Sequence, residues 1–159
     1  MNRTAYINAR LFDPANGLDE TGALLVEDGK IEDLGASLFS DSVPQDMETV
    51  DCGGKLLTPG LIDMRVFTGE PGTEFRETLG SASQSAAAGG VTTIIVMPNT
   101  DPVIDDVALV DFVERRARDT AIVNVHPMAA LTRGCAGEQM TEIGLLKDAG
   151  AVAFTDGDR

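Results

Sequence analysis

The 159-residue sequence contains no tryptophan, one tyrosine and a single histidine, His126. A zinc site draws about three or four protein ligands, mostly His and Cys, so one histidine makes this stretch a poor metal binder. Cysteine is as scarce. Cys52 and Cys135 lie far apart without CxxC spacing, and they read as free thiols in a reducing cytoplasm. Cations are few: 12 Lys and Arg face 26 Asp and Glu, a formal charge of −14. That balance argues against nucleic acid and anionic membrane surfaces as partners, because both need clustered Lys and Arg. It reads as a solvated acidic surface. Residues 1–17 hold no apolar core of signal-peptide length, and no run approaches a membrane span. The composition, 43% hydrophobic and 24% charged, suits a soluble globular protein with room for one domain of ordinary size.

Two hydrophobic patterns follow one another along the chain. Residues 1–57 read as a small antiparallel β unit. "TAYINARLFD" alternates apolar and polar side chains and runs into the turn-like "DPANG". "GALLVEDGKIEDLG" predicts a hairpin, Ala23–Val26 and Ile31–Leu34, around Asp28-Gly29. "METVDCGGKLLTPG" adds a short strand. From about Leu57 strands and helices alternate. "LTPGLIDMRVF" predicts a strand, and "TEFRETLGSASQSAAAGG" a helix stopped by Gly89-Gly90. "VTTIIVMP" is a β-branched run that suits a strand buried on both faces. "DDVALVDFVERRARD" opens with acids and closes with arginines, as the helix dipole favours. Its apolar stripe is Val107, Val110, Val113 and Ala117. "TAIVNVH" predicts a third strand, with His126 at its end. "EQMTEIGLLKDAG" predicts a helix with Met140, Ile143 and Leu146 inward, and "AVAFTD" a fourth strand. Such alternation means parallel βαβ units. The predicted strands are either half of an eight-stranded barrel or a complete open sheet, and the pattern does not separate these.

Particular motifs go further. "TPGLIDM" followed by "EPG", then "AAAGGVTTIIVMPNTDPVID", then "GLLKDAGAVAFTD" together resemble the N-terminal part of a dihydroorotase of the long bacterial type, in the amidohydrolase superfamily. The resemblance runs from about Ala5 to Arg159. It implies a partial (β/α)8 TIM barrel, the first four βα units over residues 58–159, after an N-terminal β-sandwich segment over 1–57. It also implies a cytoplasmic place in pyrimidine biosynthesis, with reversible cyclisation of carbamoyl-aspartate to dihydroorotate. In that chemistry zinc activates water and polarises a carbonyl. A His-x-His pair ending the first strand binds the ion, both residues pointing one way because strands have period 2.

Carried over by position, the first family histidine falls on Arg65 and the second on Phe67. The arginine that grips the substrate carboxylate falls on Gly69. The substrate-contacting asparagine is kept as Asn99, and the bridging acid of the fourth strand as Asp156. The family has adjacent acids there, whereas this chain has Asp156, Gly157 and Asp158. Arg65 carries like charge into a cation site, and Phe67 offers no suitable lone pair. No zinc and no catalytic residue are therefore expected in this stretch.

Other residues invite weighing. His126 reads as a backbone-bonded histidine, and Asp63 as a strand-end acid bonding a loop N–H. Arg65 and Asp156 would form an ion pair replacing the metal if they share one mouth, and would otherwise be solvated separately. Asn99 either holds its own turn or belongs to a remnant substrate pocket. Glu70-Pro71-Gly72 reads as a surviving loop scaffold. Cys135 has no histidine partner nearby in sequence.

Two functions fit. One is a non-catalytic dihydroorotase-like protein that supports aspartate transcarbamoylase structurally. The other is a divergent metal-dependent amidohydrolase acting on a cyclic amide, with a site rebuilt from Asp63, His126 and Asp156 or completed by a longer chain. Strands one and four of a half barrel would be unpaired edges, so self-association, or a fragment of a longer chain, is expected.

Overall fold

A computed structural model describes residues 2–157 of the chain. It divides into two compact units, Met1–Pro59 and Gly60–Arg159.

In the first unit β1 (Arg3–Asp13) pairs antiparallel with β2 (Leu18–Glu27), and β2 with β3 (Lys30–Gly35). The hairpin turns at Asp28 and Gly29, whose φ values of 47° and 79° match a two-residue turn needing positive φ twice. The expectation of a purely antiparallel unit is corrected here. Strands β4 (Glu48–Asp51) and β5 (Leu56–Leu57) both run parallel to β1. The return segment, residues 36–47, is long enough to bring the chain back to the same end of β1. Ala5, Ala9, Leu11, Ala23 and Leu25 form the buried face of this sheet.

The second unit is a parallel sheet of four strands in sequential order: β6 (Leu61–Val66), β7 (Val91–Val96), β8 (Asn124–Ala129) and β9 (Ala153–Phe154). Helices α1 (Leu79–Ala88), α2 (Val107–Thr120) and α3 (Ile143–Asp148) connect them. Thr58-Pro59-Gly60 separates β5 from β6, so the single strand expected from Leu57 is split between the two units.

Local chemistry sets the helix ends. The Thr78 hydroxyl accepts from the Ser81 amide, and Ser81 returns a bond to the Thr78 amide, so α1 starts at Leu79 and "TEFRET" is loop. The Asp106 carboxylate caps α2 through the Ala108 amide. Val110 and Val113 are buried without residue, whereas Val107, expected in the stripe, is 41% exposed at the first turn. Met140, expected inward, is 64% exposed, because residues 138–142 are not helical and Met140 pairs with Thr132 in an isolated bridge. Leu79, Ile94, Val96, Ile104, Val110, Val113 and Leu146 pack as the core between sheet and helices. Burying side chains of this size contributes roughly 1.5–3 kcal/mol each before entropy is counted. Among the described residues no helix is long and apolar enough to cross a membrane.

Candidate functional site

Active groups in parallel α/β folds collect at the C-terminal ends of the strands. In the second unit these ends present residues 64–72, 97–105, 128–142 and 154–157.

Strand β6 is irregular there. Asp63 stands opposite Ile94, but Val66 opposite Val96, so β6 spans three steps where β7 spans two. This is a bulge, and it breaks the period-2 alternation. The Asp63 carboxylate supports it by accepting from the Arg65 amide at 3.0 Å. Arg65 therefore lines a concavity of about 600 Å³ over the sheet, with Met64, Met97, Met128 and Phe154. Phe67, just past the strand, lines a different crevice of about 300 Å³ beside α1, with Ala82 and Ala86. The Arg76 guanidinium lies 5.4 Å from its ring centroid, a cation–π distance. Positions 65 and 67 thus line different cavities.

Gly69 has φ +70°, and a Cβ there would lie 2.8 Å from both the carbonyl oxygen and the hydroxyl of Thr73. Those Thr73 groups are fixed in place, since its amide and hydroxyl both bond the Gly69 carbonyl, at 2.6 and 2.8 Å. The loop as folded leaves no room for an arginine at this position.

Glu70 anchors the same loop. It is 2% exposed. One carboxylate oxygen accepts from the Leu79 amide at 2.8 Å, at the start of α1, and the other from Arg116 Nε of α2 at 2.5 Å. Glu70 in turn holds the Arg116 guanidinium above its ordinary pKa, first by the hydrogen bond and then by charge. The loop also grips the next one: the Asp101 amide bonds the Pro71 carbonyl at 3.2 Å. A Cβ on Gly72 would fall 1.5 Å from the Asp101 carbonyl oxygen, so only glycine permits that approach. Glu70-Pro71-Gly72 is a loop scaffold with a physical basis. Its partner Arg116 carries no sequence signal, being 46 residues away.

Asn99 is exposed after β7, and its carboxamide makes no hydrogen bond among the described residues. Its turn is held instead by the Ile104 amide on the Pro98 carbonyl and the Thr100 hydroxyl on the Pro102 carbonyl. Asp156 accepts from the Thr132 amide at 2.8 Å and the Thr132 hydroxyl at 2.7 Å. It pins the β8–α3 loop, which also contains a single 3-10 turn at Arg133–Cys135. No ion pair between Arg65 and Asp156 is seen among the described residues, and each has further interactions within the chain. Asp158 lies outside the described residues.

Strand β8 lies further along the chain than expected, Asn124–Ala129, so His126 is mid-strand opposite Ile95 rather than at the strand end. It is exposed and lines a cleft beside α2 with Glu114 and Arg118. Cys135 is buried and Cys52 partly so, and neither is joined in a disulfide among the described residues.

Zinc fits this donor set poorly. Among the described residues no three His, Cys, Asp or Glu side chains converge as a metal site. Asp63, His126 and Asp156 do not come together: one braces a bulge, one lies in a helix-side cleft, and one holds a loop.

This α/β fold with a parallel sheet is similar to solved amidohydrolase-type structures. L-hydantoinase (dihydropyrimidinase) from Arthrobacter aurescens matches with a TM-score of 0.81 at 30% identity, over 97% of this chain and 32% of that one. Dihydropyrimidinase from Brevibacillus agri NCHU1002 shares the fold, with a TM-score of 0.66 at 21% identity over 82% of this chain and 27% of that one. The profile of the family described as "Dihydro-orotase-like" matches residues 54–159, and the chain belongs to that family. A dihydroorotase from Wolbachia sp. subsp. Brugia malayi (strain TRS) is 50% identical over 97% of this chain and 34% of its own length. One from Pelobacter propionicus (strain DSM 2379 / NBRC 103807 / OttBd1) is 46% identical over 96% of this chain and 35% of its own. The chain thus spans about a third of the length of these relatives.

Proposed function

We propose that this chain is the N-terminal portion of a non-catalytic dihydroorotase-like protein of cytoplasmic pyrimidine biosynthesis, with a structural role beside aspartate transcarbamoylase. On this reading the second unit is the first half of a (β/α)8 barrel, and the first unit is part of a β-sandwich. The supporting observation is the end of β6. Arg65 and Phe67 stand at the family's metal-ligand positions, and the bulge sends them to different cavities. Gly69, at the carboxylate-gripping position, has no space for a side chain.

The test is metal content and dihydroorotase turnover of the purified chain with added zinc. Bound zinc below a tenth of an equivalent, without turnover, is expected. Stoichiometric zinc with turnover would sink the proposal. Partnership is tested by co-purification with aspartate transcarbamoylase, and failure to co-elute would remove that part.

A second reading has its own support in the L-hydantoinase likeness at 30% identity. It makes the protein a divergent metal-dependent hydrolase of a cyclic amide. It requires metal ligands from beyond these 159 residues.

A further inference from the structure

The β1–β2 turn of the first unit carries a chemistry of its own. Of the asparagines at positions 2, 8, 16, 99 and 124, Asn16 alone is followed by glycine. A backbone nitrogen one residue on can attack an asparagine carboxamide, and glycine, without a Cβ, obstructs that approach least. The fold does not shield the pair. Residues 14–17 form the turn, and all of them are exposed. Gly17 sits at φ +68°, with nothing within 4 Å of where a Cβ would stand. No backbone hydrogen bond from the Gly17 amide is seen among the described residues. Asn8 is the internal contrast. Its carboxamide also donates to a carboxylate, that of Asp51 at 3.0 Å, and its φ is +54°. The residue after it, Ala9, is fully buried within β1.

Asp13 holds the turn. Its Oδ1 accepts from the Ala15 amide at 2.9 Å and its Oδ2 from Asn16 Nδ2 at 2.6 Å. The second bond needs an N–H donor. A carboxylate at position 16 would remove that donor and set two like charges against each other, which is unfavourable.

We propose that Asn16-Gly17 is a site of spontaneous deamidation, and that its product releases the hold of Asp13 on the turn. The Gly17 nitrogen gives its proton to hydroxide and bonds to Asn16 Cγ. The Cγ–Nδ2 bond breaks, and the nitrogen leaves as ammonia. One water then opens the cyclic imide at either carbonyl, giving aspartate or isoaspartate at position 16. No metal, partner or redox step takes part, so this chemistry is independent of the reading above.

The experiment incubates the chain at neutral and mildly alkaline pH and follows its tryptic peptides by mass spectrometry. Cleavage after Arg10 and Lys30 isolates residues 11–30, where Asn16 is the one carboxamide side chain. That peptide should gain the mass difference between a hydroxyl and an amino group. It should do so at least about tenfold faster than the peptides of Asn2, Asn8, Asn99 and Asn124. The rate should lie within about tenfold of that in a synthetic peptide of residues 11–20, and fragmentation should show both aspartate and isoaspartate at position 16. Gly17→Ala, its folding checked by urea midpoint, should slow the conversion about tenfold. In Asn16→Asp, hydrogen exchange at the Ala15 amide should be faster than in the unaltered chain. Comparable rates at the other asparagines, strong protection relative to the peptide, aspartate without isoaspartate, or an undiminished rate in Gly17→Ala would each overturn the modification site. If that variant does not fold, the rates in the unaltered chain decide. Unchanged exchange at Ala15 would overturn the release of the turn.

Discussion

The β6–α1 and β8–α3 loops are both held by a carboxylate, but by opposite means. Glu70 is buried and joins its loop to two helices through a backbone amide and a guanidinium. Asp156 is half-buried and takes both described bonds from one residue, Thr132, whose hydroxyl also receives the Gly137 amide. A buried charge is tolerable only when paired, and removing one partner of such a pair is costly. A half-buried carboxylate keeps water as an alternative partner, so its loss costs less. The first loop is therefore part of the framework of the unit, and the second is fastened to it locally.

The largest effect is expected at Glu70. Glu70→Ala strands the Leu79 amide and leaves Arg116 without its partner. Complete breakage of a buried pair costs about 3–5 kcal/mol, and the half-exposed Arg116 places this case near 3. Urea unfolding measures it, and a loss under 1 kcal/mol would erase the contrast between the loops. Next is Gly69→Arg, which restores the family residue. The left-handed backbone and the close Thr73 atoms predict a loss of about 1–3 kcal/mol, and no gain of dihydroorotase turnover. A stable, active variant would show that the loop opens to accept the side chain.

The elements that rest on local chemistry were legible in the sequence. The Asp28-Gly29 hairpin, the β-branched core strand and the capped, dipole-matched α2 all follow from short-range rules. The failures have one common cause, a tertiary arrangement that short-range patterns do not encode. Period 2 aligns the family's paired histidines, whereas β6 carries a register shift against β7 between Asp63 and Val66. Helical spacing drew Met140 inward, and a bridge to Thr132 kept it in a loop. The third strand was expected to end at His126, yet β8 continues to Ala129, as its neighbours pair there. The site positions were drawn from the motifs of the resemblance. The Glu70–Arg116 pair was not, because nothing in the sequence links residues 46 apart.

Thr132→Val probes the second loop. It deletes the hydroxyl that links Asp156 Oδ2 and the Gly137 amide while keeping the shape. A loss of about 1–2 kcal/mol is expected, the usual cost of leaving partly buried polar groups unmatched. Hydrogen exchange should locate it, with the Gly137 amide losing protection and the Leu79 amide unchanged. Equal loss at both amides would mean that the two loops open as one unit.

The smallest effect concerns acid, and it separates the loops by pH. The Glu74 carboxyl, in the β6–α1 loop, is held below the ordinary glutamate value of 4.5, chiefly by the Gly72 amide. Its folded form therefore binds a proton less readily than its unfolded form. The stability it contributes is fully present above the unfolded value and is lost as pH falls through the lower folded value. The group is solvent-exposed, so the effect is a change of slope rather than a large shift of stability. Glu74→Gln keeps an acceptor for Gly72 but does not titrate. Its urea midpoint, taken relative to the unaltered chain, should be level above pH 6 and should rise in the variant's favour below about pH 4.5. The other carboxylates are common to both proteins and cancel in that difference. A constant difference across the range would mean that the Glu74 contact is absent in solution, and that Glu70 is the carboxylate that fastens the loop.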